Sequence, residues 1–475
     1  MPPEAIAGLA DHLVDFWVRF RHCFWTKTRD QSTNAYHYLS GLLRMTEKRN
    51  YTGVGRATGQ PGDNIQHFMT NSPWPAQAVY RQVQDEITAT PGLSSGGMLL
   101  LDESADAKAG TKTAGAARQY NGRLGKVDLC QVGVFLAFAK GHTWTWVDGE
   151  LFLPEEWLTP EMAEERQRLG IPAGRCFKTK VELGWEMIQR VRANGLPFDA
   201  VGCDDLYGRA DWFRAELDKT GIVYMADVPR TTKVYLECPE FGVPKTPPDH
   251  RGPPYTKPRV LSSDKPLTVS QVAKQPDTQW KWVRVRSCER GELVAEFTAR
   301  RVWTLRDGKP TEEWLVVQRE ADGDCRYSLS NAHPEAPLEE LAWMQTQRYF
   351  VERSIQDAKS EIGWDELEAQ KLRAWEHHLA LTILGSWFVA QTKLEWEQQF
   401  PRDPELRQEL AVDQLPSLSV ANVRVMLRAA MPLPQLSPQE AADLVVEHLL
   451  NRTRSRKSRM KKKASRRIHR SRDPA

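Results

Sequence analysis

The sequence predicts an α/β core that is preceded by an all-helical region, interrupted by a β-rich insertion and followed by helices and a disordered basic tail. Three observations support this fold class. Apolar runs of strand length alternate with amphipathic helical patterns between residues 93 and 229. Four more strand patterns, separated by Gly-containing turns, lie within residues 230–337. Helical patterns fill residues 1–92 and return at 338–451, and the 475-residue chain is long enough for several domains.

Residues 1–92 carry helical patterns only. The stretch 48–74 predicts two short helices around a Gly59–Gly62 turn, the second running from about Asp63, as N-cap, to Thr70. Two short helices around a Gly turn resemble a helix-turn-helix DNA reader, and a plain helical bundle fits the pattern equally well. In the DNA-binding interpretation, polar side chains of the second helix face a groove: Asn64, Gln66 and His67.

The core begins with a fully apolar run that ends in an acid, Met98 to Asp102. Strands at 127–139 and 142–154 and helices at 155–169 and 179–194 follow. A fourth strand again ends in an acid, at Asp204, and a helix and a fifth strand complete the series. This order matches an α/β sheet of the ribonuclease H type, in which the ends of the first and fourth strands are neighbours. We therefore expect Asp102 and Asp204 to meet.

The second part of the core, residues 338–400, contains a charged helical stretch from Gln347 to Glu361. Its residues Arg348, Glu352 and Lys359 are spaced at i, i+4 and i+11 and would lie along one stripe of an α-helix. An acid flanked by two cations suits a carboxylate that holds a metal ion while its neighbours bind phosphates. A solvated salt-bridge face would show the same spacing.

Asp102, Asp204 and Glu352 together predict a metal site. Three carboxylates held by a sheet and a helix can bind two Mg²⁺ ions about 3.5–4 Å apart and support in-line phosphoryl transfer, with Mn²⁺ as a substitute. Glu103 and Asp205 lie beside two of these acids. Because successive side chains of a strand point to opposite faces, we expect only one acid of each pair to face the metals, and we choose the ones that directly continue the buried runs.

Several segments make a family resemblance specific: LLLDESADAKAGTKTAGAARQYNGRLGKVDLCQV, VGCDDLYGRADWFRAEL and RYFVERSIQDAKSEIGWDELE. They are similar to the catalytic core of bacterial DDE transposases, in particular insertion-sequence family 701. The resemblance implies that Asp102, Asp204 and Glu352 are the DDE triad, and Gln345 stands where related transposases have Tyr. Arg118, Gln119 and Tyr120 match a segment of the family, where they would either contact DNA or support the structure of the loop. Three nearby lysines are candidate phosphate contacts, with ordinary solvated lysines as the alternative: Lys108, Lys112 and Lys126.

The charge distribution suggests a polyanionic partner. The net charge is +3, but residues 452–475 alone contain 12 Lys and Arg residues against one acid. A tail of this density is expected to be disordered and to bind nucleic acid rather than a membrane, since no apolar anchor lies beside it. The seven cysteines are scattered and never form a CxxC pair, which favours a reducing compartment. We expect a cytoplasmic, nucleoid-associated protein.

Together these predictions indicate a cut-and-paste transposase that binds terminal inverted repeats, cleaves the DNA ends and joins them to target DNA. Because two ends must be paired, a homodimer on double-stranded DNA is expected. Two alternatives remain open from the residues: a structure-specific nuclease of the same fold, and a domesticated transposase that acts only as a DNA-binding regulator. The predicted domains are 1–92, 93–229, 230–337, 338–400, 401–451 and the tail 452–475.

Overall fold

A computed structural model describes residues 3–249, 251–263, 265–288, 291–306, 308–320, 323–400 and 418–434, with scattered positions between 437 and 460. Contacts divide the chain into two units, residues 1–431 and 432–475. Residues 401–417 of the predicted helical region 401–451, and most of the predicted basic tail, lie outside the described residues. None of the described helices has the length and hydropathy needed to cross a membrane.

The N-terminal region is helical, as the sequence predicts. Its helices bury their apolar faces against one another and against the long helix 372–399. They are α1 Pro3–Ala7, α2 Leu9–Phe20, α3 Ser32–Arg44, α4 Tyr51–Thr58, α5 Gly62–Thr70 and α6 Ala76–Ala89, with a 3₁₀ turn at Arg21–Phe24. Gly59 ends α4 with a φ of +71°, a conformation that favours glycine. The predicted N-cap is wrong by two positions, because Pro61 caps α5 and Asp63 lies in its first turn.

The centre of the molecule is a mixed sheet. Its core strands are β1 Met98–Ala107, β2 Ala117–Asn121, β3 Lys126–Lys140, β4 Thr143–Phe152, β5 Ala200–Cys203 and β6 Val223–Asp227. β1 pairs antiparallel with β3 and parallel with β5, and β6 pairs parallel with β5. The resulting order, β4-β3-β1-β5-β6, is consistent with the predicted ribonuclease H-type arrangement. Helices α7 Ala163–Leu169, α8 Lys180–Ala193, α9 Asp205–Gly208 and α10 Asp211–Lys219 lie between β4 and β6.

The strands predicted as a β-rich insertion continue the same sheet. They are β11 Lys281–Cys288, β12 Gly291–Arg306, β13 Lys309–Arg319 and β14 Cys325–Ser330. β14 pairs antiparallel with β6, so ten of the described strands form one sheet that runs from β11 to β2 and β4. Two short pairs precede them, β7 Lys233–Val234 with β10 Leu267–Thr268 and β8 Phe241–Gly242 with β9 Arg259–Val260, followed by the short helix α11 Val269–Val272.

The chain then returns to the core as helices. These are α12 Leu338–Thr346, α13 Tyr349–Asp357, a π-helical turn at Ala358–Ile362, a 3₁₀ turn at Trp364–Glu366, the long buried helix α14 Leu372–Gln399 and α15 Val420–Ala430. Residues 452–454, 456, 457 and 460 of the predicted tail are helical.

Three predicted boundaries are wrong. β1 does not end at Asp102 but continues to Ala107, because its residues beyond Asp102 remain paired with β3. The stretch between the predicted strands at 98–102 and 127–139, for which the sequence predicts no strand, contains β2, which pairs with the start of β3. The predicted helix 155–169 is two 3₁₀ turns, Glu155–Leu158 and Pro160–Met162, followed by α7.

Candidate active site

Two acids meet where parallel strands end. β1 and β5 are in register up to the pair Leu101 and Cys203, and the next residue along each strand is an aspartate, Asp102 and Asp204. β5 stops at this point, whereas β1 continues beside β3 alone. From Asp102 onward, the edge of β1 therefore has no β5 residue beside it. This leaves space there for the side chains of Asp102 and Asp204. The predicted meeting of Asp102 and Asp204 is confirmed.

Glu103 joins this pair. One carboxylate oxygen from each of Asp102, Glu103 and Asp204 lies within 4.8 Å of the other two. Sequence reasoning excluded Glu103 because neighbours on a strand point to opposite faces. The exclusion overlooks that β1 runs past the end of β5, so that carboxylates from both faces of β1 can approach each other there. We call these three residues the acidic cluster.

Electrostatics within the acidic cluster favours an added cation. Burial and repulsion by Asp204 raise the pKa of Asp102 to about 8. Burial and repulsion by Glu103 raise the pKa of Asp204 to about 6. Arg348 lowers both values but does not cancel the other effects. The negative charge is thus incompletely balanced by the described residues.

Local contacts hold each acid of the cluster in place. Asp204 is the N-cap of α9, and its Oδ1 accepts a 3.0 Å hydrogen bond from the backbone N–H of Leu206. Glu103 accepts hydrogen bonds from the Nζ of Lys180 at 2.8 Å and from the hydroxyl of Tyr207 at 3.0 Å. Glu103 is therefore already engaged by α8 and α9, whereas Asp102 accepts a 2.7 Å bond from the neighbouring backbone N–H.

The helix α13 brings Glu352 and Arg348 to this end of the sheet. α13 packs on β1, β3 and β4, and its rotation is fixed by two indole donors. Trp146 Nε1 donates to Ser354 Oγ at 3.0 Å, and Trp144 Nε1 donates to Asp357 Oδ2 at 3.2 Å. The Glu352 side chain is about half exposed, at 49%. It is not part of the acidic cluster found among the described residues.

Arg348 lies between Glu352 and the other acids. Its Nη2 is 2.5 Å from Glu352 Oε1, and its Nε is 3.2 Å from Asp227 Oδ2. Although burial opposes the effect, Asp227 and Asp102 raise the pKa of Arg348. The guanidinium therefore acts as an internal counter-ion of the site, rather than as a solvent-facing cation.

The predicted helix from Gln347 to Glu361 is confirmed for its central part, and both of its ends differ from the prediction. Gln347 and Arg348 form a turn between α12 and α13, and the last residues form the π-helical turn. The π turn points Lys359 toward the sheet, where its Nζ donates to the carbonyl of Ala105 at 2.8 Å. Burial lowers the pKa of Lys359. Arg348, Glu352 and Lys359 therefore do not form the solvated stripe that their spacing suggests.

The acidic cluster has the chemistry of a divalent-cation site. Carboxylate oxygens are the ligands that Mg²⁺ prefers, and three of them converge within 4.8 Å at the end of a rigid sheet. The raised pKa values of Asp102 and Asp204 show that a cation bound there would relieve their repulsion. The residues present thus fit a divalent metal ion.

Two residues predicted to contact DNA, besides Arg348 and Lys359, have protein partners. Lys108 pairs with Asp106 and also donates to the carbonyl of Leu367 at 2.9 Å. Gln119 points inward from β2, and its Nε2 donates to the carbonyls of Gly115 and Cys130. The contacts of Gln119 match its alternative interpretation, a structural support of the loop. Lys108, whose side chain is 10% exposed, is not the solvated lysine that was its alternative.

The other predicted DNA contacts are exposed. Arg118 and Tyr120 lie on the outward face of β2, opposite Gln119, and Tyr120 is 63% exposed. The remaining residues of this set are exposed as well: Lys112, Lys126, Asn64, Gln66 and His67. On α5 the exposed polar residues lie opposite a buried face of Ile65, Phe68 and Met69. Their accessibility is compatible with the predicted roles, which stay predictions.

Comparison with known proteins identifies the family. Residues 19–292 match the family model of the DDE superfamily endonucleases. The chain belongs to this family. The match includes Asp102 and Asp204 and stops before Glu352. A protein of Microchaete diplosiphon, described as a probable transposase for insertion sequence element IS701, is 28% identical over 237 residues.

The similarity to this relative covers 46% of the present chain and 58% of the relative, so the chain spans little more than half the length of that protein. The resemblance to DDE proteins of insertion-sequence family 701, noted from the segments around Asp102, Asp204 and Glu352, is confirmed. In a DDE superfamily endonuclease, the acidic cluster at the strand ends is the natural candidate for the active site.

Proposed function

We propose that this protein is a DDE transposase with a ribonuclease H-like core, which binds the ends of a DNA insertion sequence, cleaves them and joins them to target DNA. The observation that carries the proposal is the convergence of Asp102 and Asp204 at the ends of adjacent parallel strands. The family match and the relative's description as a probable transposase support it.

The proposed metal ligands are Asp102, Asp204 and Glu352. Bound Mg²⁺ or Mn²⁺ ions would supply Lewis-acid activation of a water or 3′-hydroxyl and stabilisation of the leaving oxygen. Asp102 and Asp204 are already placed by the sheet and by the N-cap of α9. Glu352 must exchange its ion pair with Arg348 for a position in the acidic cluster, and the exposed side chain of Glu352 leaves room for this rotation.

DNA binding is assigned to exposed polar and basic surfaces. On α5 these are Asn64, Gln66 and His67, and on β2 they are Arg118 and Tyr120. The basic segment 452–475 would add a sequence-independent attraction to phosphates, whose strength falls with salt. Since two DNA ends must be joined together, we propose a homodimer on DNA as the active assembly.

The test is a cleavage and strand-transfer assay on DNA that carries the terminal sequences of the element from which the gene comes. Wild-type protein with Mg²⁺ is compared with Glu352→Gln and with Glu340→Gln, an exposed glutamate of α12 that serves as the matched control. We expect cleavage and joining in the wild type and in the control. In Glu352→Gln both reactions should fall by at least about a thousandfold while DNA binding is retained.

The alternatives give different results in the same assay. Cleavage without joining would identify a nuclease, and tight DNA binding without cleavage in every protein would identify a regulator. Equal activity of Glu352→Gln and wild type would contradict the assignment of Glu352 as a metal ligand.

A further inference from the structure

Asp227 occupies the third position in the row of strand ends that contains Asp102 and Asp204. β5 and β6 are in register up to the pair Cys203 and Ala226, so that Asp227 follows Ala226 as Asp204 follows Cys203. Side chains in the same row of parallel strands point to the same face. Asp102 of β1, Asp204 directly after β5 and Asp227 of β6 therefore lie in one row across three neighbouring strands, on one side of the sheet.

Asp227 is buried, at 8% exposure, and its backbone is closely packed. A Cβ atom on Gly208 of α9 would come within 1.9 Å of the carbonyl oxygen of Asp227, so glycine is required there. Asp227 is thus fixed against the same short helix that Asp204 caps. Its position relative to the acidic cluster is set by the backbone.

The side chain of Asp227 links two parts of the sheet to Arg348. Ser328 of β14 donates its hydroxyl to Asp227 Oδ1 at 2.5 Å, and Gln345 Nε2 of α12 donates to that Ser328 oxygen at 2.7 Å. The other carboxylate oxygen, Oδ2, lies 3.2 Å from Arg348 Nε. Through Arg348 the chain of contacts reaches Glu352.

We propose that Asp227 is a positioning residue that holds Arg348 at the edge of the acidic cluster and so controls how tightly the site binds a divalent metal. This inference rests on the proposed metal site. With Asp227 in place, the guanidinium is shared with an acid outside the cluster. Without that anchor, Arg348 is free to pair with Asp102 and Asp204 and competes with the incoming cation.

The proposal predicts a coupling that a direct charge effect does not. Removing the negative charge of Asp227 also removes its direct electrostatic attraction for the cation, and this loss weakens cation binding whether or not Arg348 is present. An effect that acts through Arg348 disappears when Arg348 is removed. A double-mutant cycle separates the two.

The experiment measures Mn²⁺ affinity of the full-length protein by isothermal titration calorimetry. The cycle contains wild type, Asp227→Asn, Arg348→Ala and the double variant. We expect Asp227→Asn to weaken Mn²⁺ binding about tenfold in the wild-type background, as for other residues that orient metal ligands, and less than about threefold in the Arg348→Ala background. Equal factors in both backgrounds would overturn the proposal.

A second pair of variants avoids any change of charge. Ser328→Ala removes the hydroxyl that orients Asp227, and it should weaken Mn²⁺ binding about threefold in the same Arg348-dependent way. The matched control is Ser330→Ala on the same strand, which removes a buried hydroxyl that donates to the carbonyl of Tyr224 and touches no acid. An equal effect of both serine variants on Mn²⁺ affinity would assign the change to general loosening of β14 and reject the role of Asp227.

Failure of the proposed function has a different signature. If the wild-type protein binds no Mn²⁺ and Asp102→Asn changes nothing, the metal site itself is wrong, and the control by Asp227 falls with it. If the wild type binds Mn²⁺ and Asp102→Asn abolishes binding while the Asp227 cycle shows no coupling, the metal site stands and only the role of Asp227 is rejected.

Discussion

Two buried groups of charges lie on the same sheet and are balanced in opposite ways. Around Glu313, which is fully buried, the protein supplies the donors itself. The hydroxyls of Tyr224 and Thr304 donate to its two oxygens, Arg214 Nε lies 3.2 Å from one of them, and Arg306 Nε lies 3.9 Å from the other. One carboxylate thus has two hydroxyl donors and two neighbouring cations.

The acidic cluster is the opposite case. It brings three carboxylates together and has two cationic neighbours among the described residues, of which only Lys180 pairs within the cluster alone. Lys180 pairs with Glu103, and Arg348 is shared with Asp227 and Glu352. The contrast between the Glu313 group and the acidic cluster shows that burial of acids does not by itself indicate a function. The Glu313 group is balanced by its own donors and cations, whereas the described residues leave the charge of the acidic cluster incompletely balanced, which suits the metal site proposed above.

The largest expected effect follows from breaking the complete group. Glu313→Gln should lower the free energy of unfolding by about 3–5 kcal/mol, because it leaves Arg214 and Arg306 buried beside a neutral side chain. The measurement is urea unfolding followed by tryptophan fluorescence.

The control for this prediction is the neighbouring Glu312→Gln. Glu312 pairs with Arg301 at the surface, so its loss should cost no more than about 1 kcal/mol. Equal stability of the Glu313 and Glu312 variants would show that the Glu313 group is not a structural element and would remove the contrast with the acidic cluster.

The acidic cluster was largely predictable, because its signal is local in the sequence. An apolar run followed by an acid indicates a buried strand and its end, and the same pattern occurs at Asp102 and at Asp204. The order of strands and helices then sufficed to bring the two ends together. The contribution of Glu103 was not predictable, since it depends on how far β1 extends beyond β5.

Long-range pairing was the main feature that the sequence could not provide. The β-rich insertion joins the core sheet through the pairing of Ser328 with Asp227, which are far apart in the chain. That pairing is also what places Ser328 beside the row of aspartates. In the same way, the break at Gln347 depends on tertiary partners: Arg286 of β11 donates to the carbonyl of Thr346 at 3.1 Å, where the helix α12 ends.

The acidic cluster should make the stability of the protein depend on pH through Asp102. Without metal, the folded protein holds Asp102 with a pKa of about 8, against an ordinary value of 3.8. Between these values the folded state binds a proton at Asp102 that the unfolded state does not, so the contribution of Asp102 to stability is fully present below about pH 4 and is lost as pH rises through 8. The slope for this residue approaches about 1.4 kcal/mol per pH unit.

This prediction is checked by urea unfolding of the metal-free protein between pH 5 and 8, with chelator present. Asp102→Asn should show a less steep fall of stability with pH than wild type, because its neutral side chain binds no proton on folding. Saturating Mg²⁺ should flatten the slope by holding the carboxylates ionised. Equal slopes of metal-free wild type and Asp102→Asn would contradict the pKa shift. This comparison separates Asp102 from other buried groups such as His377 and His378, whose pKa values burial lowers to about 4 and which raise stability as pH rises toward 6.5.

The smallest expected effect is a gain of stability at the proposed active site. Asp102→Asn keeps the shape of the side chain and is neutral without binding a proton on folding, so the metal-free protein should become more stable at pH 7, by at least about 1 kcal/mol. The same variant should lose the stabilisation by Mg²⁺. The control is Asp205→Asn, an exposed neighbour paired with Arg209, which should change neither quantity by more than about 0.5 kcal/mol. A stabilised but inactive Asp102→Asn beside a destabilised Glu313→Gln would separate the two groups by sign. Destabilisation of both would mean that the acidic cluster, like the Glu313 group, is held together by its own charges.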